Sequence, residues 1–381
     1  MQTLNDRLVV TFDRFLAAQR RLAAEINGSG PRVECDHLAF DAVQELAHRQ
    51  AEELTDLLSA SGGGSDVWPQ AKVALHAHRL HSEVLLQSEF IAHAFQKPRG
   101  YAGDKDLMLQ IYEKRDRGAT PFAVLTNRVY QELPAAEAVR QRIRSLERLL
   151  AQVPRGGRVL NLACGPGREV ERFMREHPVA ELTVDLVDHD IETIRYTTSH
   201  IRDPRVRHFI GNAFAIIKGD HRVLTPRGWA RDHCDPKADL TRSRGAWLIP
   251  LKYKFSALAP ASYDLVYSAG LFDYVEDFPE NPQRGARALT RRLCDLLKPG
   301  GHLLIGNFLT QGCGNPHRLP HRLMMELYSD WCLLYRSQEN LYDFATHLAQ
   351  DEFEINLTNE YLDPTPLRPA AIGFLQITRA R

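Results

Sequence analysis

The sequence lacks any long hydrophobic run, and no apolar stretch approaches the roughly 18 residues that a membrane-spanning helix needs. Its first residues, Met1–Phe12, include Asp6 and Arg7 and lack the apolar core and cleavage site of a secretory signal peptide. The six cysteines are scattered and form no Cys-x-x-Cys pair, which argues against a disulfide framework and a zinc ribbon. These absences predict a cytoplasmic protein.

An excess of charge of either sign is also missing. Lys and Arg total 48, as do Asp and Glu, so no overall field favours nucleic acid or an anionic membrane. We therefore expect a small-molecule partner and no nucleic acid. The 381 residues, 44% of them hydrophobic, are ample for two domains. The sequence leaves the oligomeric state open, with a homodimer as one option.

The N-terminal part of the chain has a helical pattern and no strand pattern. Apolar residues recur at three-to-four spacing in Leu4–Ile26, Asp36–Ala60 and Val67–Phe95, and a charged amphipathic helix is predicted for Pro134–Leu150. Glycine-rich breakers separate the first three segments. We predict an all-helical domain over residues 1–130 and a second domain over residues 131–381.

From Arg158 onwards, short β-branched runs alternate with helical segments, which is typical of an α/β domain with a parallel sheet. The predicted strands are Arg158–Leu162, Leu182–Val187, Val206–Ile210, Leu265–Ser268, His302–Phe308 and Phe374–Thr378. The segment Lys218–Ser262, which carries Trp229 and Trp247, is too long for an ordinary connection. It predicts a lid, a binding loop or a disordered insert.

A glycine-containing turn follows the first predicted strand, in Val159-Leu-Asn-Leu-Ala-Cys-Gly-Pro-Gly-Arg-Glu169. Gly165 and Gly167 permit a tight turn and close approach of a ligand, and the following helix offers unpaired N–H groups. The spacing departs from Gly-x-Gly-x-x-Gly, which disfavours a dinucleotide site and a dehydrogenase. Asp188 ends the second strand and is the predicted ribose ligand, with Asp190 as its competitor and a helix N-cap as the alternative role.

Small and polar residues follow the later strands as well. Ligands of such sheets bind at the carboxyl ends of the strands, so one crevice is predicted there. It would be lined by Gly165, Asp188, Asn212, Ser268, Ala269 and Asn307.

This order of motifs resembles the class I S-adenosylmethionine-dependent methyltransferases. The resemblance rests on the glycine turn, the acid after strand two, Asn212-Ala213 after strand three and Leu297-Lys-Pro-Gly-Gly301, and it covers roughly residues 155–310. It implies a Rossmann-like sheet with helices on both faces, S-adenosylmethionine as cofactor and methyl transfer as the reaction. The chain departs from the pattern at Asn161 and Ala163, which replace the acid and the first glycine common in the first motif.

A narrower resemblance is to the bacterial methyltransferases grouped with the 3-hydroxypalmitate methyl ester synthase of quorum sensing. It rests on the segments 97–104, 138–142, 268–274, 306–308 and 330–336. It implies a small-molecule acceptor such as the carboxylate of a hydroxylated fatty acid, and a loop near residues 97–104 that closes over the cofactor. Arg99 or Arg336 would then hold the acceptor carboxylate.

The expected site follows from both resemblances. The candidate catalytic residues are Tyr101, Asp104, Asp273 and Tyr274, although Tyr101 and Asp104 could instead form a turn and a cap. The candidate cofactor-binding residues are Arg99, Tyr101, Ala163, Gly165, Gly167, Asp188, His189, Asn212, Ala213, Ser268 and Ala269.

Several other patterns favour ordinary structural roles. His76, His78, His81 and His93 lack a completing carboxylate or cysteine, so no metal is expected. Arg140 and Arg142 lie on a charged helix, and a solvated face is the expected position for both. Two other functions stay open, namely an N- or O-methyltransferase of a specialised metabolite and a methyltransferase-like module without turnover.

Overall fold

The computed structural model describes residues 3–29, 37–61, 67–226, 253–310, 319–360 and 370–381. The chain divides into two compact units. The first comprises Met1–Gln141, Phe308–Tyr335 and Pro366–Ile372, and the second comprises Arg142–Asn307, Arg336–Thr365 and Gly373–Arg381. Residues 308–335 therefore belong with the N-terminal helices, although they follow strands of the sheet in sequence. None of the described helices combines the length and hydropathy needed to cross a bilayer.

The first unit is helical. Its helices are α1 (Leu4–Gly28), α2 (His37–Ala60), α3 (Val67–Ala77), α4 (Arg79–Glu83), α5 (Glu89–Gln96), α6 (Lys105–Glu113), α7 (Pro121–Gln131), the start of α8 (Pro134–Gln152), and α13 (Leu319–Leu323). Thr3 and Asp6 form a capping box at α1, and Thr120 caps α7 just before Pro121. Phe12, Phe15 and Tyr130 are among the large side chains in its core.

One helical prediction for this unit was too long. The segment Val67–Phe95 is broken, because His78 and Ser88 accept hydrogen bonds from backbone N–H groups and so start α4 and α5. In the same unit, α13 passes into a π-helical turn, Met324–Tyr328.

The second unit is built on a mixed sheet. Its strands are β1 (Gly157–Leu162), β2 (Leu182–Asp188), β3 (Val206–Ile210), β4 (Arg222–Pro226), β5 (Tyr253–Ala257), β6 (Tyr263–Ser268), β7 (Leu297–Phe308), β8 (Phe353–Asn359) and β9 (Ile372–Arg379). Their order is β5-β4-β3-β2-β1-β6-β7-β9-β8. The neighbours from β3 to β7 are parallel, whereas β3–β4, β4–β5 and β8–β9 are antiparallel.

The helices that flank this sheet are α9 (Arg168–Glu176), α10 (Ile191–His200), α11 (Ala213–Ile217), α12 (Gly285–Cys294) and α14 (Gln338–Asp343). Of these, α9, α10 and α12 join neighbouring parallel strands. The central strands carry fully buried residues such as Val159, Val184 and Val266, as expected for parallel strands covered on both faces. The predicted α/β fold with an N-terminal helical region is confirmed.

The sequence missed three strands. β4 and β5 lie within the segment 218–262, so the flanks of the expected insert are antiparallel strands at the sheet edge. Trp229 and Trp247 lie outside the described residues. β8 was also missed, and it turns the far edge of an expected parallel sheet into an antiparallel pair with β9.

Candidate functional site

The strand order of the sheet reverses around β1, which pairs with β2 on one side and β6 on the other. Leu162 of β1 pairs with Val187 of β2, and Asn161 pairs with Tyr267 of β6. The residues that follow these strands therefore lie side by side at one edge of the sheet. Open α/β sheets bind ligands at such a reversal.

The turn after β1 uses left-handed backbone at three positions. Ala163, Gly165 and Gly167 have φ values of 56°, 52° and 60°. A Cβ added at Gly165 would meet no atom of the described chain within 4 Å, whereas at Gly167 it would lie 3.1 Å from Cδ1 of Ile201. Gly165 thus leaves room for a ligand beside the turn, and Gly167 allows close packing at the start of α9.

Asp188 lies at the end of β2 and is directed at the glycine turn. It is buried, and its Oδ2 accepts a hydrogen bond from Gly165 N at 3.0 Å, while its Oδ1 accepts one from Asp190 N at 3.0 Å. The competitor Asp190 caps α10 by accepting hydrogen bonds from Glu192 N and Thr193 N. The cap and the turn carboxylate are therefore different residues, which keeps Asp188 as the ribose candidate.

His189 is the exposed neighbour of this carboxylate. Its Nδ1 lies 3.4 Å from Asp188 Oδ1, and the hydrogen bond to Asp188 raises the pKa of the imidazole. A protonated His189 would add positive charge at the rim of the same strand end.

The candidates after β3 and β6 occupy two kinds of position. Asn212 is exposed and caps α11 by accepting a hydrogen bond from Phe214 N at 2.8 Å, and Ala213 is buried behind it. Ser268 is fully buried and donates to the carbonyl of Leu162 at 2.9 Å. This hydrogen bond ties the end of β6 to the end of β1.

Arg142 does not lie on the solvated helix face that was expected for it. It is 8% exposed, and its guanidinium donates to the carbonyl oxygen of Ala269. The amphipathic pattern of α8 could not reveal this, because the acceptor lies 127 residues away in sequence. Arg142 therefore supports the backbone just after β6, where the cofactor is expected.

Glu169 is a buried acid that sequence reasoning did not single out. Its Oε1 accepts hydrogen bonds from Asn161 Nδ2 at 2.8 Å and from Tyr267 OH at 2.9 Å. Burial raises the pKa of this carboxyl group. The signal that could have pointed to it is Asn161 itself, which stands where the resembled families commonly have an acid.

A short 3-10 turn, Phe272–Tyr274, carries the catalytic candidates Asp273 and Tyr274. Asp273 is buried and Tyr274 is half-buried. Arg336 donates to the carbonyls of Phe272 at 2.6 Å and Val275 at 2.5 Å, and to Asn307 Oδ1 at 2.6 Å. Both terminal nitrogens of Arg336 are thus directed at the turn, which does not favour the expected bidentate contact to an acceptor.

The remaining candidates lie in the helical unit. Asp104 is fully buried, caps α6 through hydrogen bonds from Asp106 N and Leu107 N, and lies 2.8 Å from His93 Nε2. Arg99 forms an ion pair with Asp106 at 3.1 Å. Tyr101 is half-buried in the turn between α5 and α6. Asp104 has the capping geometry that was its alternative role.

Two histidines of this unit contact backbone oxygens. His76 and His81 place their Nε2 atoms 3.0 Å and 3.1 Å from the carbonyls of Leu327 and Tyr328. Within the described ranges, no group of three or more His, Cys, Asp or Glu side chains is arranged to hold a metal ion.

The amino-acid sequence of the chain matches that of a known protein family. Residues 135–346 match the sequence profile of a family described as a methyltransferase domain, which is more than half of the chain. No protein of curated function matches the sequence.

Solved structures resemble the chain at low sequence identity. A possible exported protein of Bordetella parapertussis is 17% identical over 93% of this chain and 100% of its own, with a TM-score of 0.50. An S-adenosylmethionine-dependent methyltransferase of Aquifex aeolicus is 10% identical over 63% of this chain and 89% of its own, with a TM-score of 0.35. A possible histamine N-methyltransferase of Thermotoga maritima is 12% identical over 63% and 88%, with a TM-score of 0.36. At 17% identity the first likeness shows a shared fold.

Proposed function

Because the chain belongs to the family of methyltransferase domains, we propose that it transfers the methyl group of S-adenosylmethionine to the carboxylate of a small molecule, such as a hydroxylated fatty acid. The product would be a methyl ester. The narrower resemblance in segments such as 97–104 and 330–336 supports this choice of acceptor.

The residues at the strand ends suit the cofactor. The space beside Gly165 leaves room for it at the reversal of the strand order. Oδ1 of Asp188 accepts from Asp190 N and contacts His189, whereas Oδ2 accepts only from Gly165 N among the bonds described, so Oδ2 keeps a lone pair for a ribose hydroxyl. We assign the ribose to Asp188, the turn contacts to Ala163, Gly165 and Gly167, and the remaining contacts to the residues after β3 and β6.

The reaction asks little of the protein beyond positioning. The bound cofactor supplies an electrophilic methyl group on its sulfonium. A carboxylate acceptor is already ionised at neutral pH, so no general base is required. The residues of the chain would then orient the acceptor and exclude water.

The observation that carries the choice of acceptor is the state of Asp104. Its carboxylate caps α6 and pairs with His93 in a fully buried position. A carboxylate that already caps a helix and pairs with a histidine is poorly suited to removing a proton from an amine. This arrangement removes one of the four candidate proton acceptors of an N-methyltransferase, and it so supports an acceptor that needs no proton removal.

The test is a product analysis with methyl-labelled S-adenosylmethionine and matched panels of 3-hydroxy acids and amines. We expect label in a base-labile ester of an acyl acid, with no label transferred by an Asp188→Asn variant that is folded. Label in a base-stable product of an amine would contradict the proposed acceptor, and Asp273, Tyr274 and Tyr101 would then be the candidate proton acceptors.

We also propose that the protein acts in the cytoplasm. The scattered cysteines support a reducing compartment, and Cys164, Cys294 and Cys332 are free thiols.

A further inference from the structure

A buried carboxyl group lies behind the glycine turn without a cation in contact with it. Glu169, the second residue of α9, is 5% exposed. Its hydrogen-bond donors, Asn161 and Tyr267, are both neutral. In the part of the chain that the structure describes, no lysine, arginine or histidine forms an ion pair with it. An ionised carboxylate in such a place is costly until a positive charge arrives.

The charged and titratable groups around Glu169 do not supply that charge at contact distance. On α8, the field of Arg142 favours the ionised carboxylate and that of Glu147 opposes it. On β6, burial raises the pKa of Tyr267 far above its usual value, so the phenol stays a neutral donor. In the turn, burial and the nearby Asp188 and Glu169 raise the pKa of the Cys164 thiol. Desolvation dominates, and it raises the pKa of Glu169.

The Glu169 carboxyl group also lies next to Asn161, a residue at which the chain departs from the methyltransferase motif. Asn161 stands where the sequence pattern commonly has an acid, and its amide is hydrogen-bonded to Glu169 at 2.8 Å. Asn161 and Tyr267 are paired neighbours near the ends of β1 and β6, so Glu169 reaches the strand ends expected to hold the cofactor. A carboxylate is therefore present near position 161, although it is carried by the next helix instead of by the strand.

We propose that Glu169 binds the positively charged α-ammonium group of the methionine part of S-adenosylmethionine. The ligand would provide the missing counter-charge. Asn161 and Tyr267 would hold the carboxylate in place through Oε1. The inference rests on the use of this cofactor and is independent of the identity of the acceptor.

The proposal implies that a proton leaves the protein on binding. In the free protein, the raised pKa makes the Glu169 carboxyl group hold its proton to a higher pH than an ordinary glutamate does. When the ammonium group arrives, the carboxyl group loses its proton to bulk solvent, and the resulting carboxylate pairs with the ammonium. Wild-type protein can be tested for this release by calorimetry in buffers of different ionisation enthalpy.

The experiment that tests the assignment compares two stable ligands by calorimetric titration. S-adenosylhomocysteine carries the α-ammonium group, and 5′-methylthioadenosine lacks the amino-acid part. We expect Glu169→Gln to bind S-adenosylhomocysteine about 10- to 100-fold more weakly than wild type, as for loss of a hydrogen bond between charged groups. Its affinity for 5′-methylthioadenosine should change less than about twofold. Glu171→Gln, the same change at a carboxylate of α9 that pairs with Arg168, is the matched control and should bind both ligands normally.

Three results would overturn the inference. The first is that Glu169→Gln binds S-adenosylhomocysteine as tightly as the wild-type protein does. The second is that the variant loses the same affinity for both ligands, which would mean that Glu169 only supports the turn. The third applies if the variant does not fold: the wild-type protein would release no proton when it binds the ligand in mildly acidic buffer. A failure of the proposed acceptor would instead appear as absent ester product with normal ligand binding.

Discussion

At the scale of single residues, Ala163 is the clearest case of backbone strain. Its φ of 56° lies in the left-handed region, which costs a residue with a Cβ about 1 kcal/mol. We expect Ala163→Gly to raise the free energy of unfolding of the sheet unit by about 1 kcal/mol. Urea denaturation followed by circular dichroism measures this change.

The same substitution in a helix supplies the comparison. Ala92 lies within α5, where glycine has a lower helix propensity than alanine. Ala92→Gly should therefore lower the free energy of unfolding by about 0.5–1 kcal/mol. If Ala163→Gly also lowered the stability, the strain assigned to the turn would be absent.

Arg336 is the residue on which the turn 272–275 most depends. It is 6% exposed, and burial lowers the pKa of its guanidinium. Lysine keeps the charge but cannot reproduce the two-nitrogen fork that reaches Phe272 O, Val275 O and Asn307. We expect Arg336→Lys to lower the free energy of unfolding by about 2–4 kcal/mol, because buried acceptors lose their donors.

The reference for this measurement is Arg291→Lys, at an exposed position of α12. It should change the stability by less than about 0.5 kcal/mol. Equal effects of the two substitutions would show that the turn does not depend on the Arg336 fork.

At the scale of elements, the π-helical turn 324–328 is tied to α3 and α4 by neutral histidines. Burial, together with the neighbouring His76, lowers the pKa of His81 to about 4. Its stabilising contribution is complete above the unfolded pKa of about 6.5 and is lost as the pH falls towards 4. We expect the helical unit to lose stability steadily over this acidic range.

A substitution isolates this effect. His81→Gln removes the titrating group, so the decline in stability between about pH 6.5 and pH 4 should become shallower than in wild type. The exposed His200 lies in the other unit, and His200→Gln should leave the slope unchanged. Thermal denaturation across this pH range provides the measurement, and an unchanged slope in His81→Gln would rule out His81 as the source.

At the scale of the whole molecule, two units with separate cores predict two cooperative unfolding transitions. S-adenosylhomocysteine at about a hundred times its Kd should stabilise the sheet unit by about 2.7 kcal/mol, because it binds only the folded site. Hydrogen exchange with and without ligand would follow this in peptides covering β1 and β2. No added protection in those peptides would contradict the placement of the cofactor at their carboxyl ends.

Much of the fold could be read from local patterns along the chain. The helical N-terminal region and the central strands β1, β2, β3, β6 and β7 repeat apolar residues at short, regular spacing, and the glycine turn is a continuous segment. The strands β4, β5 and β8 could not be recognised in this way. They lie at the sheet edges or, for β4, next to one, where pairing with a neighbouring strand replaces a strong buried pattern in the sequence.

The sequence by itself determined the class of fold, the methyltransferase family and the glycine turn after β1, because those features follow from short-range order. Only the tertiary structure decided which polar side chains meet. Tyr267 reaches Glu169 across 98 residues of sequence, and Arg142 reaches Ala269 across 127. Periodicity cannot show such contacts, since they depend on how strands and helices from distant segments pack. In the sequence, Asn161 is a departure from a motif. The tertiary structure shows that it is one of the residues that hold a buried carboxylate.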